Sequence, residues 1–170
     1  MSIIDTLGIA PGSRIVCPTQ IVEPEWIDYN GHLNMAFYHV MFDRAVDHVY
    51  DALGIGAEYA ASGRGSCFTM EVHVHYLQEL SVEDDVDIHF QLLNYDGKRL
   101  HFFEQMFHKQ DGFIAATSEQ IGMHVDMQTR RSAPFPAEVT EQLNSIFSIH
   151  QNLEHPPQVG HVIGIPPPKA

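Results

Sequence analysis

The chain has 170 residues, 44% hydrophobic, 18% charged and 10% aromatic, which suits one domain with a real core. Its formal net charge of −13 excludes the basic footprint that nonspecific nucleic-acid binding needs. No apolar run reaches the length of a membrane span, the first residues lack the basic start of a secretory signal, and Cys17 and Cys67 are too few for a disulfide framework. A cytoplasmic protein is expected, its acidic surface keeping it soluble or drawing in a cationic substrate.

In chain order, Arg14 to Val22 reads as a short first strand that stops before Pro24. A loop follows, Trp26-Ile27-Asp28-Tyr29-Asn30-Gly31-His32-Leu33-Asn34. Ala36 to Leu53 is a predicted helix. Phe37, Val40, Met41, Ala45, Val49, Ala52 and Leu53 recur at helical spacing, and His39, Asp43, Asp47 and Asp51 form a polar stripe. Gly54 and Gly56 supply its stop, and at ~1.5 Å per residue it is long enough to cross a small sheet. Apolar residues around most of its girth predict near-complete burial.

From Ser66 the pattern changes to period two, with Phe68, Met70, Val72, Val74 and Tyr76 on one face and Thr69, Glu71, His73 and His75 on the other. Val86 to Tyr95, a turn at Asp96-Gly97, Leu100 to His108, a turn at Asp111-Gly112 and a long run to Val125 predict three more strands. Pro134 and Pro136 end the sheet, and Ala137 to His150 returns to helix. Residues 1–154 are therefore expected to form a single α+β domain, an antiparallel sheet wrapped around one long helix. Residues 155–170 form a Pro-rich C-terminal tail, expected to dock on its own protomer or on a neighbour.

The loop before the helix carries the chemistry. Its arrangement can aim the Asp28 carboxylate and the N–H groups of a helix N-terminus at one small volume, the minimum equipment for acyl transfer. Asp28 also suits a turn or cap, although Asn34 is better placed as the helix cap. His32 could orient the turn or touch substrate. Glu71 could serve as an alternative base, or face solvent beside His73 or His101. His73-x-His75 with Glu79 mimics a cupin-type metal spacing, but the accompanying glycines are missing and a long helix is foreign to that fold. No metal is expected, and the two histidines are read as facing outward.

With that order of elements, Asp28, Gly31, His32 and Asn34 resemble the Asp-x-x-Gly-His-x-Asn run of hotdog-fold acyl-CoA thioesterases of the 4-hydroxybenzoyl-CoA type. Tyr38, Phe42 and Asp43, Tyr76-Leu77, Asp84-Asp85-Val86 and Gly97-Lys98-Arg99-Leu100 extend the resemblance over roughly residues 14–136. It implies a hotdog fold, with Asp28 as nucleophile or general base and a backbone donor at Met35 or Ala36 for the thioester oxygen. Losing one such donor typically costs ~3 kcal/mol of barrier. It also implies an acyl-CoA substrate, with coenzyme A as part of that substrate and no further cofactor, and a site shared across a homodimer or homotetramer.

Pro24-Glu25 with the Asp28 loop, Phe68-Thr69-Met70-Glu71, Lys98-Arg99-Leu100-His101 and Arg131-Ser132-Ala133-Pro134-Phe135-Pro136 resemble, more narrowly, thioesterases of carnitine breakdown that hydrolyse betainyl-CoA. A quaternary ammonium has no hydrogen to donate and is held by aromatic faces. Trp26, Tyr29, Tyr38 and Phe68 would then form a cage, with Asn34 and Glu71 also touching substrate. Lys98, Arg99, Arg130 and Arg131 would meet the coenzyme A phosphates. Two alternatives stand beside this reading. A hotdog enoyl-CoA hydratase resembles it but places its His five residues after the Asp, whereas His32 lies four after Asp28. A non-catalytic acyl-CoA-binding domain would tend to lack the carboxylate and carry a DNA-binding segment.

Overall fold

The computed structural model describes residues 1–165. A four-residue helix α1 (Ile3–Thr6) is closed by a reciprocal Ser2–Asp5 cap and leads to two short strands, β1 (Ile15–Val16) and β2 (Gln20–Ile21). The single strand expected over Arg14–Val22 is thus divided, because Pro18 has no N–H to give the ladder. A 3₁₀ turn at Pro24–Trp26 and the Asp28 loop then enter α2 (Met35–Ala52). Asn34 caps it: its Oδ1 accepts the Ala36 N–H at 2.9 Å.

Contrary to the expected near-complete burial, α2 hides one face only. Tyr38, Met41, Phe42, Ala45, Val46, Val49 and Tyr50 are buried, while Met35, Val40, Asp43 and Asp47 are exposed. The sheet curls over one side of the helix and leaves the rest to solvent or a partner. A short α3 (Ala57–Ala61) precedes the long strands β3 (Gly65–Tyr76), β4 (Asp85–Tyr95), β5 (Arg99–His108) and β6 (Ile114–Asp126). A stub β7 (Arg131–Ser132) and α4 (Ala137–His150) complete the described elements.

The sheet is antiparallel in the order β1-β4-β5-β6-β3, with β2 beside β4 and β7 beside β6, so β3 is an edge strand. Its inner face packs on α2 through Ile88, Leu92, Leu100, Phe102 and Met106 against Met41, Phe42 and Ala45, all within 2% of full burial. Full burial of one such large apolar side chain contributes ~1.5–3 kcal/mol, so this layer carries the fold.

The predicted alternation along β3 is broken by a bulge between Thr69 and Glu71. Cys67 and Val74 both pack on the core although their positions differ in parity, because the extra residue reverses the faces. Val74 and Tyr76 therefore point toward α2. Phe68, Glu71, His73 and His75 lie on the outer face.

The last segment crosses that outer face. Arg14 Nη2 donates to the Glu154 carbonyl at 3.0 Å near β1, and the Gly160 N–H donates to Glu119 on β6 at 2.7 Å. The tail thus docks on its own protomer from Glu154 to His161, and Val162, Ile163 and Ile165 beyond it are exposed. Residues 166–170 lie outside the described part. No helix among the described residues is long and apolar enough to cross a membrane.

Candidate active site

The Asp28 loop is fixed by its own backbone. Asp28 N–H donates to the His32 carbonyl and Gly31 N–H to the Asp28 carbonyl, both at 3.0 Å. Gly31 turns the chain at φ +84°, a conformation that side chains oppose. The Asp28 Oδ1 accepts the Asn30 N–H at 2.8 Å, which holds the carboxylate in one orientation. Asn34 N–H donates to the Trp26 carbonyl at 2.9 Å, and Leu33 N–H to the Leu80 carbonyl at 2.8 Å. The second bond ties the loop to the segment that leaves β3.

Beside that tie lies an open cavity of about 480 Å³ whose lining includes Asp28, Tyr29, His32, Asn34, Met35, Tyr38, Tyr76 and Glu79. The helix start offers a donor there. The Asn34 side chain occupies the Ala36 N–H, whereas the Met35 N–H has no hydrogen-bond partner among the described residues. Of the two backbone donors expected at this position, Met35 is the one left available. It sits at the positive end of an 18-residue helix.

Tyrosines form the wall opposite. Tyr38 and Tyr76 meet edge to face with ring centres 5.2 Å apart. Burial pushes the Tyr38 phenol up to about 12, and the nearby Glu79 charge acts in the same direction. The Tyr76 hydroxyl donates to the Met35 carbonyl at 3.4 Å and lies 3.2 Å from His39 Nε2. No cysteine competes for the nucleophile's role, since burial pushes both the Cys17 and Cys67 thiols up to about 12.

Six of the expected site residues therefore converge: Asp28, Tyr29, His32, Asn34, Met35 and Tyr38. The others do not join them within one chain. Trp26 is buried, stacked on Phe37 at 5.3 Å and covered by the Arg44 guanidinium at 5.0 Å, so its faces are taken. Glu71 lies on the outer face of β3, apart from Asp28, because of the bulge. Phe68 is eight residues up β3 from Tyr76, about 26 Å at a strand's rise. It underlies Arg130, whose guanidinium sits 5.3 Å from its ring centre.

The basic pairs gather at that same far end of the sheet. Arg99 and Phe68 both face Met123 in register, and Arg131 in β7 pairs with Asp126. Lys98 Nζ donates to the Ser132 hydroxyl at 3.3 Å. Arg99 grips Asp96 at 2.8 and 2.5 Å, and these bonds hold the Asp96 carboxyl down at about 2. The His73-x-His75 and Glu79 spacing that mimics a metal site separates too, with Glu79 turned into the Asp28 cavity.

Sequence reasoning missed Tyr76, Leu77, Gln78, Glu79 and His39 as site residues. The usable signal was the end of the period-two pattern at Tyr76, where the strand gives way to the polar Gln78-Glu79 segment.

Residues 22–143 match the sequence pattern of the thioesterase-like superfamily. The chain is 39% identical over 146 residues to a betainyl-CoA thioesterase of Pseudomonas aeruginosa, covering 86% of this chain and 92% of that protein. It is 34% identical to an L-carnitine dehydrogenase/betainyl-CoA thioesterase of Rhizobium meliloti, matching 84% of this chain but 29% of that longer protein. A hypothetical protein from Staphylococcus aureus, solved in complex with CoA, superposes with a TM-score of 0.85 at 32% identity, over 92% of this chain and 98% of its own. A putative thioesterase from Pseudomonas putida gives a TM-score of 0.79 at 33% identity, over 91% and 98%. The curled antiparallel sheet on one long helix, an acid beside a helix start and these similarities agree: the chain belongs to the thioesterase-like superfamily and is an acyl-CoA thioester hydrolase with the hotdog fold.

Proposed function

We propose that the protein hydrolyses betainyl-CoA to betaine and coenzyme A, with Asp28 as its catalytic carboxylate. The observation that carries this reading is the shared cavity: the oriented Asp28 carboxylate and the unpaired Met35 N–H face one volume. The thioester carbonyl oxygen would accept from Met35, where the helix field favours the charge that develops on it. In the general-base form, Asp28 takes a proton from water as the water oxygen adds to the carbonyl carbon. Collapse of the tetrahedral adduct breaks the C–S bond, and the proton passes to the departing sulfur. In the nucleophilic form, Asp28 itself adds, coenzyme A thiolate leaves, and water then cleaves the mixed anhydride. Both forms balance without a cofactor.

The acyl group is supported by the cavity's lining. Tyr29, Tyr38 and Tyr76 supply aromatic faces, and Asp28 and Glu79 supply negative charge, which together suit a trimethylammonium group. In this assignment Tyr76 takes the place expected of Trp26 and Phe68. His32, whose Nδ1 lies 3.3 Å from the Leu33 carbonyl, orients the turn.

A second copy supplies what one chain leaves apart. β3 is an open edge beside exposed Met35, Met70, Val72 and Tyr76, a surface that a homodimer would cover. Antiparallel pairing of two β3 edges sets the start of one strand beside the end of the other. Phe68 and the cluster of Lys98, Arg99, Arg130 and Arg131 on one copy would then approach the Asp28 cavity of the other and meet the coenzyme A phosphates. Dilution that yields monomers should abolish activity; a fully active monomer would refute the shared site.

The experiment for the activity is thiol release from betainyl, short aliphatic, long aliphatic and aromatic acyl-CoAs, with Asp28→Asn in parallel. Preference for betainyl-CoA, lost in the variant, is the expected result. Preference for another thioester would overturn the acyl assignment alone. No release from any member would return the hydratase and acyl-CoA-binding readings.

A further inference from the structure

The tail brings one residue to the sheet that the strand pattern could not place. His161 lies over the outer face of β3 with its ring centre 5.7 Å from His73 and 4.7 Å from His75, whose own rings are 4.5 Å apart. One ligand nitrogen from each of the three lies within 4.8 Å of the others, and among the described residues no other such cluster of three His, Cys, Asp or Glu exists. None of the three rings makes a hydrogen bond within the described part of the chain, so all six nitrogens are uncommitted. The neutral ring is the form that ligates a metal.

The surroundings fix the third ligand. Glu119 stands in register with His73, accepts from the Gly160 N–H at 2.7 Å and bonds His101 at 2.7 Å through its other oxygen. Gly160 precedes His161, so the carboxylate anchors the tail one residue from the imidazole. It also brings a negative charge close to the cluster. Three nitrogens around one tetrahedral ion at ~2.0–2.1 Å lie about 3.4 Å apart. The observed spread, within 4.8 Å, is wider than this, so a bound ion would draw the three rings together.

We propose that His73, His75 and His161 together bind one divalent transition-metal ion of the zinc class, which fastens the C-terminal segment to the outer face of the sheet. Imidazole ligands and an open fourth position for water suit Zn²⁺, with Ni²⁺ or Cu²⁺ as competitors of the same ligand chemistry. The site is separate from Asp28: His75 and Tyr76 are neighbours in sequence, but they face opposite sides of β3. Its role is mechanical and adds no step to thioester hydrolysis.

Equilibrium dialysis of the untagged full-length protein against Zn²⁺, followed by elemental analysis, tests this. One bound Zn²⁺ per chain is expected, with affinity reduced at least tenfold in His161→Ala and in His73→Ala. His161 is exposed and His73 half-buried, so both variants should keep the wild-type circular dichroism. Zn²⁺ should also slow proteolysis of the segment after Leu153 in the wild type and leave the His161→Ala rate unchanged. Equal Zn²⁺ affinity in wild type and His161→Ala would overturn the site, and binding without protection of the tail would overturn the fastening.

Discussion

The Asp28 loop and the histidine cluster lie on either side of the same strand, and they are assembled in opposite ways. The first is contained in nine consecutive residues, stiffened by backbone bonds that close within the loop and by one tie to Leu80. The second joins His73 and His75 to a residue more than eighty positions later, and it exists only because the tail crosses the whole sheet. A site of the first kind keeps its geometry whenever the loop folds. One of the second kind depends on a docked segment and can be released without unfolding the core. The proposed mechanism places catalysis on the rigid kind, where small misplacements are costly.

The sharpest way to break this comparison is a pair of variants. Asp28→Asn should lower kcat by about 10³-fold, roughly 4 kcal/mol of barrier, while leaving Zn²⁺ binding intact. His161→Ala should do the reverse. Matching losses of activity in both would mean that the two regions are coupled, and the division drawn above would fall.

The next effect concerns how the outer layer is anchored. His150 at the end of α4 accepts the Leu92 N–H at 2.9 Å, and burial pushes its ring down to about 4, with Arg14 acting in the same direction. The folded state therefore refuses a proton that the unfolded chain accepts below its ordinary value of 6.5. Stability contributed by the neutral ring is complete above about pH 6.5 and falls as pH drops toward 4, by about 3 kcal/mol in total. Urea unfolding between pH 7 and 4 should show this slope, and His150→Gln should flatten it. An unchanged slope would place the proton elsewhere.

Within the loop the effects are smaller. Gly31→Ala forces a side chain onto φ +84° and should cost about 1–2 kcal/mol of stability, with a further loss of kcat because Asp28 shifts. Asn34→Ala removes the cap on Ala36 and should cost about 1 kcal/mol by thermal unfolding. A drop in kcat for Asn34→Ala larger than its stability cost predicts would mean that the cap also aims the Met35 N–H.

How much of this was legible in the sequence follows the same division. α2 appeared as a period of 3.6 and β3 as a period of two that hid its bulge, the other long strands stood between turn signals, and the Asp28 loop carried its turn, cap and acid in adjacent positions. Trp26 was harder, since nothing local says that Phe37 and Arg44 will sandwich it. The division of the first strand hung on Pro18 alone. Tail docking left no periodic trace, because a segment laid across a sheet satisfies a few particular bonds, such as Glu154 with Arg14 and Gly160 with Glu119, rather than a repeating face. His161 was therefore invisible as a partner for His73.

The extra residue near Met70 has a consequence for how this strand can change. With strict alternation, any one-residue slip would turn every β3 side chain over at once. The bulge instead divides the strand into two reading frames that meet at a joint. Residues 65–69 can be altered to suit a phosphate-bearing substrate or a second copy while residues 71–76 keep their tyrosine and histidines aimed at opposite sides. Deleting Met70 would fuse the frames and force either Cys67 or Val74 out of the core. Substitutions on one side of the joint should therefore accumulate independently of those on the other, while the joint itself tolerates no change of length.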